Sequence, residues 1–226
     1  VPRIAAPAIR HHQKIGLALL LALLGSCGPS SLPPPAEVAL LDAAHFDLWT
    51  AAEIPDEGAV AVEENRLTLH PGQPMTGVRF TGDWEALRLP WIQYCLTFDA
   101  RRTEGQDFFA TCTFPVGSAE RCLTLVIGGW GGGLVGISNI DHLDASENST
   151  RGEMRFENHQ WYRVRLEVRA DDLQVWIDDR PMVNTSIKGR HLSLRSGEID
   201  RCVPLGFATW RTTGEVRELK IQRLKR

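Results

Sequence analysis

From Val38 onward, apolar positions recur every second residue. Tyr94-Cys95-Leu96-Thr97-Phe98-Asp99-Ala100-Arg101 alternates, as does Tyr162-Arg163-Val164-Arg165-Leu166-Glu167-Val168-Arg169, with apolar side chains on one face and charges on the other. Leu173-Gln174-Val175-Trp176-Ile177-Asp178 repeats the pattern after an Asp171-Asp172 turn, and residues 215–221 close the chain in the same way. This is the spacing of half-buried antiparallel strands. Residues 123–127 are apolar on both faces and predict a central strand. Helical spacing after the N-terminal segment is confined to residues 36–41. Many short strands, Gly/Asn/Asp/Pro punctuation and no alternating helices predict an all-β sandwich of two antiparallel sheets.

The N-terminus breaks this pattern. Arg3, Arg10 and Lys14 precede an apolar run over residues 15–24, and Gly25-Ser26-Cys27 follows. The run is shorter than the roughly 20 residues of a membrane span, and with a basic start and a small-residue end it reads as an export signal. Leu24-Gly25-Ser26-Cys27 also resembles the bacterial lipobox, in which the cysteine is lipidated. The expectation is a lipoprotein signal over 1–27, a Pro/Ser tether over 28–37 and one sandwich over 38–226. It implies a cell-envelope protein that meets the membrane only through the Cys27 lipid.

A formal net charge of −3 over 226 residues, with no basic block beyond the short C-terminal tail, argues against a nucleic-acid partner. Of the five cysteines, Cys27 is taken by the lipobox. In an exported chain the other four are free to form disulfides, and Cys112 and Cys122 flank the Pro115-Val116-Gly117 turn as a candidate cross-strand pair.

Candidate chemistry concentrates in residues 107–148. Two apolar strands lead to Gly128-Gly129-Trp130-Gly131-Gly132-Gly133, then to a polar loop with Asp141, His142, Asp144, Glu147 and Asn148. Trp130 between glycines is either a buried plug at a sharp bend or an accessible face for a pyranose ring. Asp107 stands beside Phe108 and Phe109, where it either caps a turn or lies in a cleft. Asp107, Asp141, His142, Asp144 and Glu147 form the pool for a general base, a general acid or ligands to a divalent metal ion. Trp130, Asn148, Arg195 and Trp210 are the candidate saccharide-binding residues; for Arg195 and Trp210 the alternatives are a strand-end ion pair and a core indole. No G-x-S-x-G, phosphate loop or dinucleotide fingerprint is present.

Residues 80–102, the DFF and TFPV segments, GGWGG, the 136–148 loop, Phe156 with Trp161-Tyr162, Val175-Trp176-Ile177-Asp178-Asp179, and Pro204-Leu205-Gly206 with Thr209-Trp210 follow a familiar order. Together they resemble the 3-keto-disaccharide hydrolase domain family, in its planctomycete-type branch. The resemblance implies a concanavalin-like jelly roll acting on glycosides oxidised at C3. There, a base removes the acidified C2 proton, the glycosidic oxygen leaves C1, and hydration completes hydrolysis. Such chemistry needs no close carboxylate pair, which fits the absence of an E-x-D-x-x-E motif. The family's Asn-Ser-Gly-Ile and Glu-x-Gln-Ile-x-Asp stretches are not matched here, so no catalytic role transfers residue by residue. A lectin-like module without catalysis is the alternative.

Overall fold

The computed structural model describes residues 36–225. The export signal, Cys27 and most of the tether lie outside the described residues. The strands, in chain order, are β1 (Glu37–Ala39), β2 (Trp49–Ala51), β3 (Val60–Glu63), β4 (Arg66–Leu69), β5 (Met75–Phe80), β6 (Tyr94–Glu104), β7 (Thr111–Ser118) and β8 (Arg121–Gly128). After these come β9 (Leu134–Ser138), β10 (Gly152–Glu153), β11 (Tyr162–Val168), β12 (Asp172–Ile177), β13 (Arg180–Ser186), β14 (Gly206–Trp210) and β15 (Thr213–Arg223). The first sheet runs β13-β12-β11-β6-β15-β4-β3, with β1 also on β15; the second runs β10-β9-β8-β7-β14-β5-β2. All pairings are antiparallel, so the fold is the expected two-sheet jelly roll.

The period-two pattern explains the core. Tyr94, Leu96, Phe98 and Ala100 of β6, and Tyr162, Val164, Leu166 and Val168 of β11, face inward and are buried. They meet Leu123, Leu125 and Ile127 of β8 and Phe207 of β14 from the second sheet. Phe207 sits at the centre, edge-on to Phe98 with ring centroids 5.0 Å apart and 5.9 Å from Trp49. Two polar groups that enter this core are satisfied, Tyr94 Oη donating to Pro115 O at 2.6 Å and Trp49 Nε1 to Leu40 O at 2.7 Å, whereas the buried Trp84 Nε1 has no partner.

On the outer face of the first sheet, acids lie under arginines. Asp99 is held by Arg163 and Arg217, and Glu167 by Arg165 and Arg169. Trp161 and Trp176 are capped by guanidinium groups, Arg165 lying 3.5 Å above Trp176.

The outer face of the second sheet is covered as well. Residues 139–150 lay Ala145 over Gly136 and Val126, and residues 187–205 lay Ile199 and Cys202 over Gly77 and Ala208. The glycines make this approach feasible: a Cβ on Gly77 would stand 3.0 Å from Cys202 Sγ. Thr111, Thr113, Thr124 and Ser138, which point to this side, are accordingly buried.

Two expectations are corrected. Residues 36–41 form no helix; residues 37–39 are strand β1, because their backbone completes the edge of β15. Cys112 and Cys122 are free thiols rather than a disulfide. The register sets Cys112 opposite Leu125 and Cys122 opposite Pro115, and since Leu125 and Cys122 are three residues apart the two thiols face opposite sides of the sheet. Burial pushes the Cys112 thiol well up and the Cys122 thiol up to about 12, so neither is a ready nucleophile.

Phe207→Ala is expected to lower the unfolding free energy by about 3–5 kcal/mol, as a large cavity in a packed core does. A urea titration with unchanged slope checks it; a loss below about 1 kcal/mol would show that Phe207 is not the centre of the packing.

Candidate functional site

The second sheet's strands end together where β8 and β14 finish and β5, β7 and β9 begin. The chain leaves β8 through Gly128 at φ 77°, passes Trp130 at φ 50° and ψ 52°, and returns through Gly131 and Gly132 at φ 86° and 109°. Glycine adopts this left-handed region freely, whereas tryptophan pays about 1–2 kcal/mol for it. The result is an indole 48% exposed, and not the buried plug that tryptophan usually supplies. Nor does Trp130 lie on the broad sheet face, which is covered; it stands at the end of the sandwich.

Asp107 fixes the bend. Its Oδ1 accepts from Phe108 N at 2.8 Å and its Oδ2 from Gly131 N at 3.3 Å. Phe108, half-buried, contacts Trp210 with centroids 5.9 Å apart, and Trp210 is itself 37% exposed at the end of β14. Arg195 stacks over Trp130 with Cζ 5.6 Å from the ring centroid, and its Nη1 lies 3.5 Å from Asp144 Oδ2. The other oxygen of Asp144 accepts from Ser146 N and Oγ. Asp107, Trp130, Asp144, Arg195 and Trp210 are thus joined in one run of contacts through Phe108 and the glycine bend.

The rest of the pool does something else. Asp141 accepts from Arg190 Nε at 2.5 Å and from His191 N at 2.8 Å, and its backbone N donates to His191 O. His142 stacks on His191 at 4.1 Å. These two residues tie the 139–150 segment to the 187–205 segment. Asn148 is corrected from ligand binder to loop scaffold: its Nδ2 donates to Ile137 O, Leu143 O and Asp144 O, while its Oδ1 accepts from Thr150 N and Oγ1. A side chain so occupied, and buried, has nothing left for a sugar. Glu147 is exposed, and no hydrogen bond or ion pair joins its carboxylate to the Trp130 group. Among the described residues no three of His, Cys, Asp and Glu converge to hold an ion, so the acids do not form a ligand set for a divalent metal.

The sequence reading passed over two groups. Phe108 contacts Trp210, a meeting visible only once β7 and β14 pair. Arg102 left a legible signal: continuing the alternation Tyr94, Leu96, Phe98, Ala100 by one step puts an arginine on the apolar face of β6, and it is indeed only 7% exposed.

No family model matches the chain, and no curated protein matches it. The 3-keto-disaccharide hydrolase resemblance therefore rests on the quoted motifs. Among solved structures, Crh5 transglycosylase in complex with NAG is similar with a TM-score of 0.57 at 10% identity, over 85% of this chain and 86% of that one. The apo form of Crh5 gives 0.54 at the same identity and coverage. The carbohydrate binding module CBM66 from Bacillus subtilis gives 0.47 at 12% identity, over 77% of this chain and 95% of that one. At these identities the likeness is one of fold.

The backbone N–H of His191 and the Arg190 guanidinium beside Asp141 hold its carboxyl below the usual range. Because the folded pKa is depressed, the tie contributes fully above the ordinary aspartate value and is lost as pH falls through the lower folded one. Protection of His191 N–H against hydrogen exchange is expected to persist below the ordinary aspartate value and to be lost only as Asp141 protonates; Asp141→Asn should remove it at neutral pH. Equal exchange in both proteins at pH 7 would show that Asp141 does not hold the segment.

Proposed function

We propose that the chain binds a saccharide on the end surface built from Trp130, Phe108 and Trp210, with Arg195 and Asp144 as its polar partners. The observation that carries this reading is Trp130. A large apolar ring is kept half exposed, in a backbone conformation that tryptophan disfavours, by glycines and an Asp107 anchor. Retained strain and exposed apolar area both mark interaction sites. An indole face suits the C–H surface of a pyranose, and Arg195, still 59% exposed at its side chain, has N–H groups to give to ring oxygens. Crh5, solved with NAG, supports the reading by sharing the sandwich. In this proposal the chain is exported and tethered through Cys27, so the domain meets glycans outside the cytoplasm.

A second reading is cleavage of 3-keto-glycosides, favoured by the Asp144 carboxylate lying beside the Arg195 guanidinium and the Trp130 ring. Asp144 would take the C2 proton of a sugar on the platform, and Arg195 would stabilise the oxyanion at C3. Asp107 is less suited as base, since both its oxygens already accept backbone N–H groups. The conventional two-carboxylate route has no support: the buried row Thr113, Thr124 and Ser138 on the outer face of the second sheet carries no acid.

Trp130→Ala and Trp210→Ala in the full chain are each expected to weaken glycan binding roughly tenfold or more with little change in melting temperature, because both rings are exposed. Undiminished binding in both would remove the platform. Turnover of a 3-keto-glucoside with a chromogenic leaving group, run with EDTA and with added divalent metals, separates the two readings. Release that is absent from the unoxidised glucoside and lost in Asp144→Ala establishes the enzyme, and no release leaves the binding module.

A further inference from the structure

The glycine bend that presents Trp130 also forms one wall of a cleft of about 490 Å³, lined by Arg102, Gln106, Gly132, Met154, Phe156 and Arg180 among others. That volume falls within the roughly 300–1,000 Å³ of small-ligand sites. Arg102 is more than nine-tenths buried in the wall. Its Nε donates to Asn158 Oδ1 at 2.6 Å and its Nη2 to Phe156 O at 2.7 Å, both neutral acceptors. Its Nη1 has no partner.

Buried charges are ordinarily paired, since an unpaired one loses its hydration without return. Arg102 has no ion pair here, and burial pulls its guanidinium pKa down. The other charges near the cleft neutralise one another: Glu153 pairs with Arg151 at 3.0 Å and Arg155 with Glu157 at 2.7 Å. Arg180, exposed at the start of β13, has no acidic partner among the described residues. Asp107 and Glu157 act on Arg102 only at a distance, and Phe109 lies 5.7 Å from its Cζ, so two cations are left without a direct ion pair, one in the wall and one at the rim. Nη1 lies immediately behind Gly132, where a Cβ would stand 3.0 Å from it and 2.7 Å from Gln106 O. The wall over the charge is thus one side-chain-free residue thick, and an anionic oxygen reaches the buried N–H only where Gly132 shifts.

We propose that this cleft receives the anionic group of an acidic sugar, a carboxylate or a sulfate ester, next to the ring that stacks on Trp130. Arg102 donates one charge-assisted hydrogen bond and Arg180 closes over the group from the rim. The inference rests on the saccharide-binding reading and narrows its ligand from any glycan to an anionic one.

The test is isothermal titration of the full chain with methyl β-D-glucuronide, glucose 6-sulfate and methyl β-D-glucoside, with sodium acetate and inorganic sulfate as controls. One or both acidic sugars are expected to bind roughly tenfold or more tighter than the neutral one, a margin that added salt narrows. Which of them does so identifies the anionic group. Arg102→Gln and Arg180→Gln are each expected to bring the ratio of acidic to neutral affinity towards one. Reading the ratio guards against a general loss of fold, and Arg180→Gln, at an exposed position, carries the test alone if Arg102→Gln unfolds. Equal binding of acidic and neutral sugars would overturn the anionic subsite while leaving the platform standing. Binding of none of the three would overturn both. An unchanged ratio in both variants, or acetate or sulfate binding as tightly as the acidic sugars, would also sink the inference.

Discussion

A β-sheet with small and apolar residues on both faces must be covered on both, because each uncovered face would leave apolar area in water. The second sheet is of this kind. Its inner face carries Phe114, Leu125 and Phe207, and its outer face Gly77, Ala208, Val126 and the buried threonines. The first sheet covers one side. On the other, residues 139–150 and 187–205 do so, locked to each other by the Asp141–Arg190 and Asp144–Arg195 pairs and by backbone bonds between Asn139 and Ser193. With both faces occupied, a ligand surface of this sheet has to form at its end, and that is where Trp130 and Trp210 stand.

The bend from Gly128 to Gly133 converts this constraint into a binding geometry. Three glycines and one tryptophan at positive φ turn the chain within a few residues, and Asp107 fastens it from the loop between β6 and β7. One side of the bend offers an indole to solvent and the other closes a cleft around a buried arginine. The same backbone therefore serves an apolar contact and a charged one a few residues apart, a combination suited to a ring that bears an ionised substituent. Arg195 links the platform to the covering loop, so Asp144 both helps to hold the cover and faces the surface.

Much of this was legible in the residues. The alternation in β6, β11, β12 and β15 gave strands whose inward faces are those the pattern names, and the doubly apolar run 123–127 became a strand flanked on both sides. Asp107, Trp130, Asp144, Arg195 and Trp210 are distinctive residue types in the chain, and the fold joins them in one run of contacts. The failures share one cause. Cys112 and Cys122 flank the turn symmetrically in sequence, while a bulge between Pro115 and Ser118 sets the register. Asn148, Asp141 and His142 looked functional by composition, yet their partners Ile137, Arg190 and His191 are fixed by the path of a loop rather than by any local spacing. Residues 36–41 looked helical because six residues are too few to separate the two periods; pairing with β15 decided the state of residues 37–39.

The sequence by itself determined the class of fold, the inward face of each long strand and the bend at the glycines, because these depend on side-chain period and on φ > 0, both local properties. The tertiary structure alone decided which acids stand beside the exposed indoles, which are consumed in holding loops, and where an inward arginine finds space. Those outcomes depend on pairing between residues far apart in the chain, such as Asp107 with Gly131, Asp141 with Arg190 and Phe108 with Trp210. No short window of the chain contains both partners, so only the closed sandwich brings them within reach.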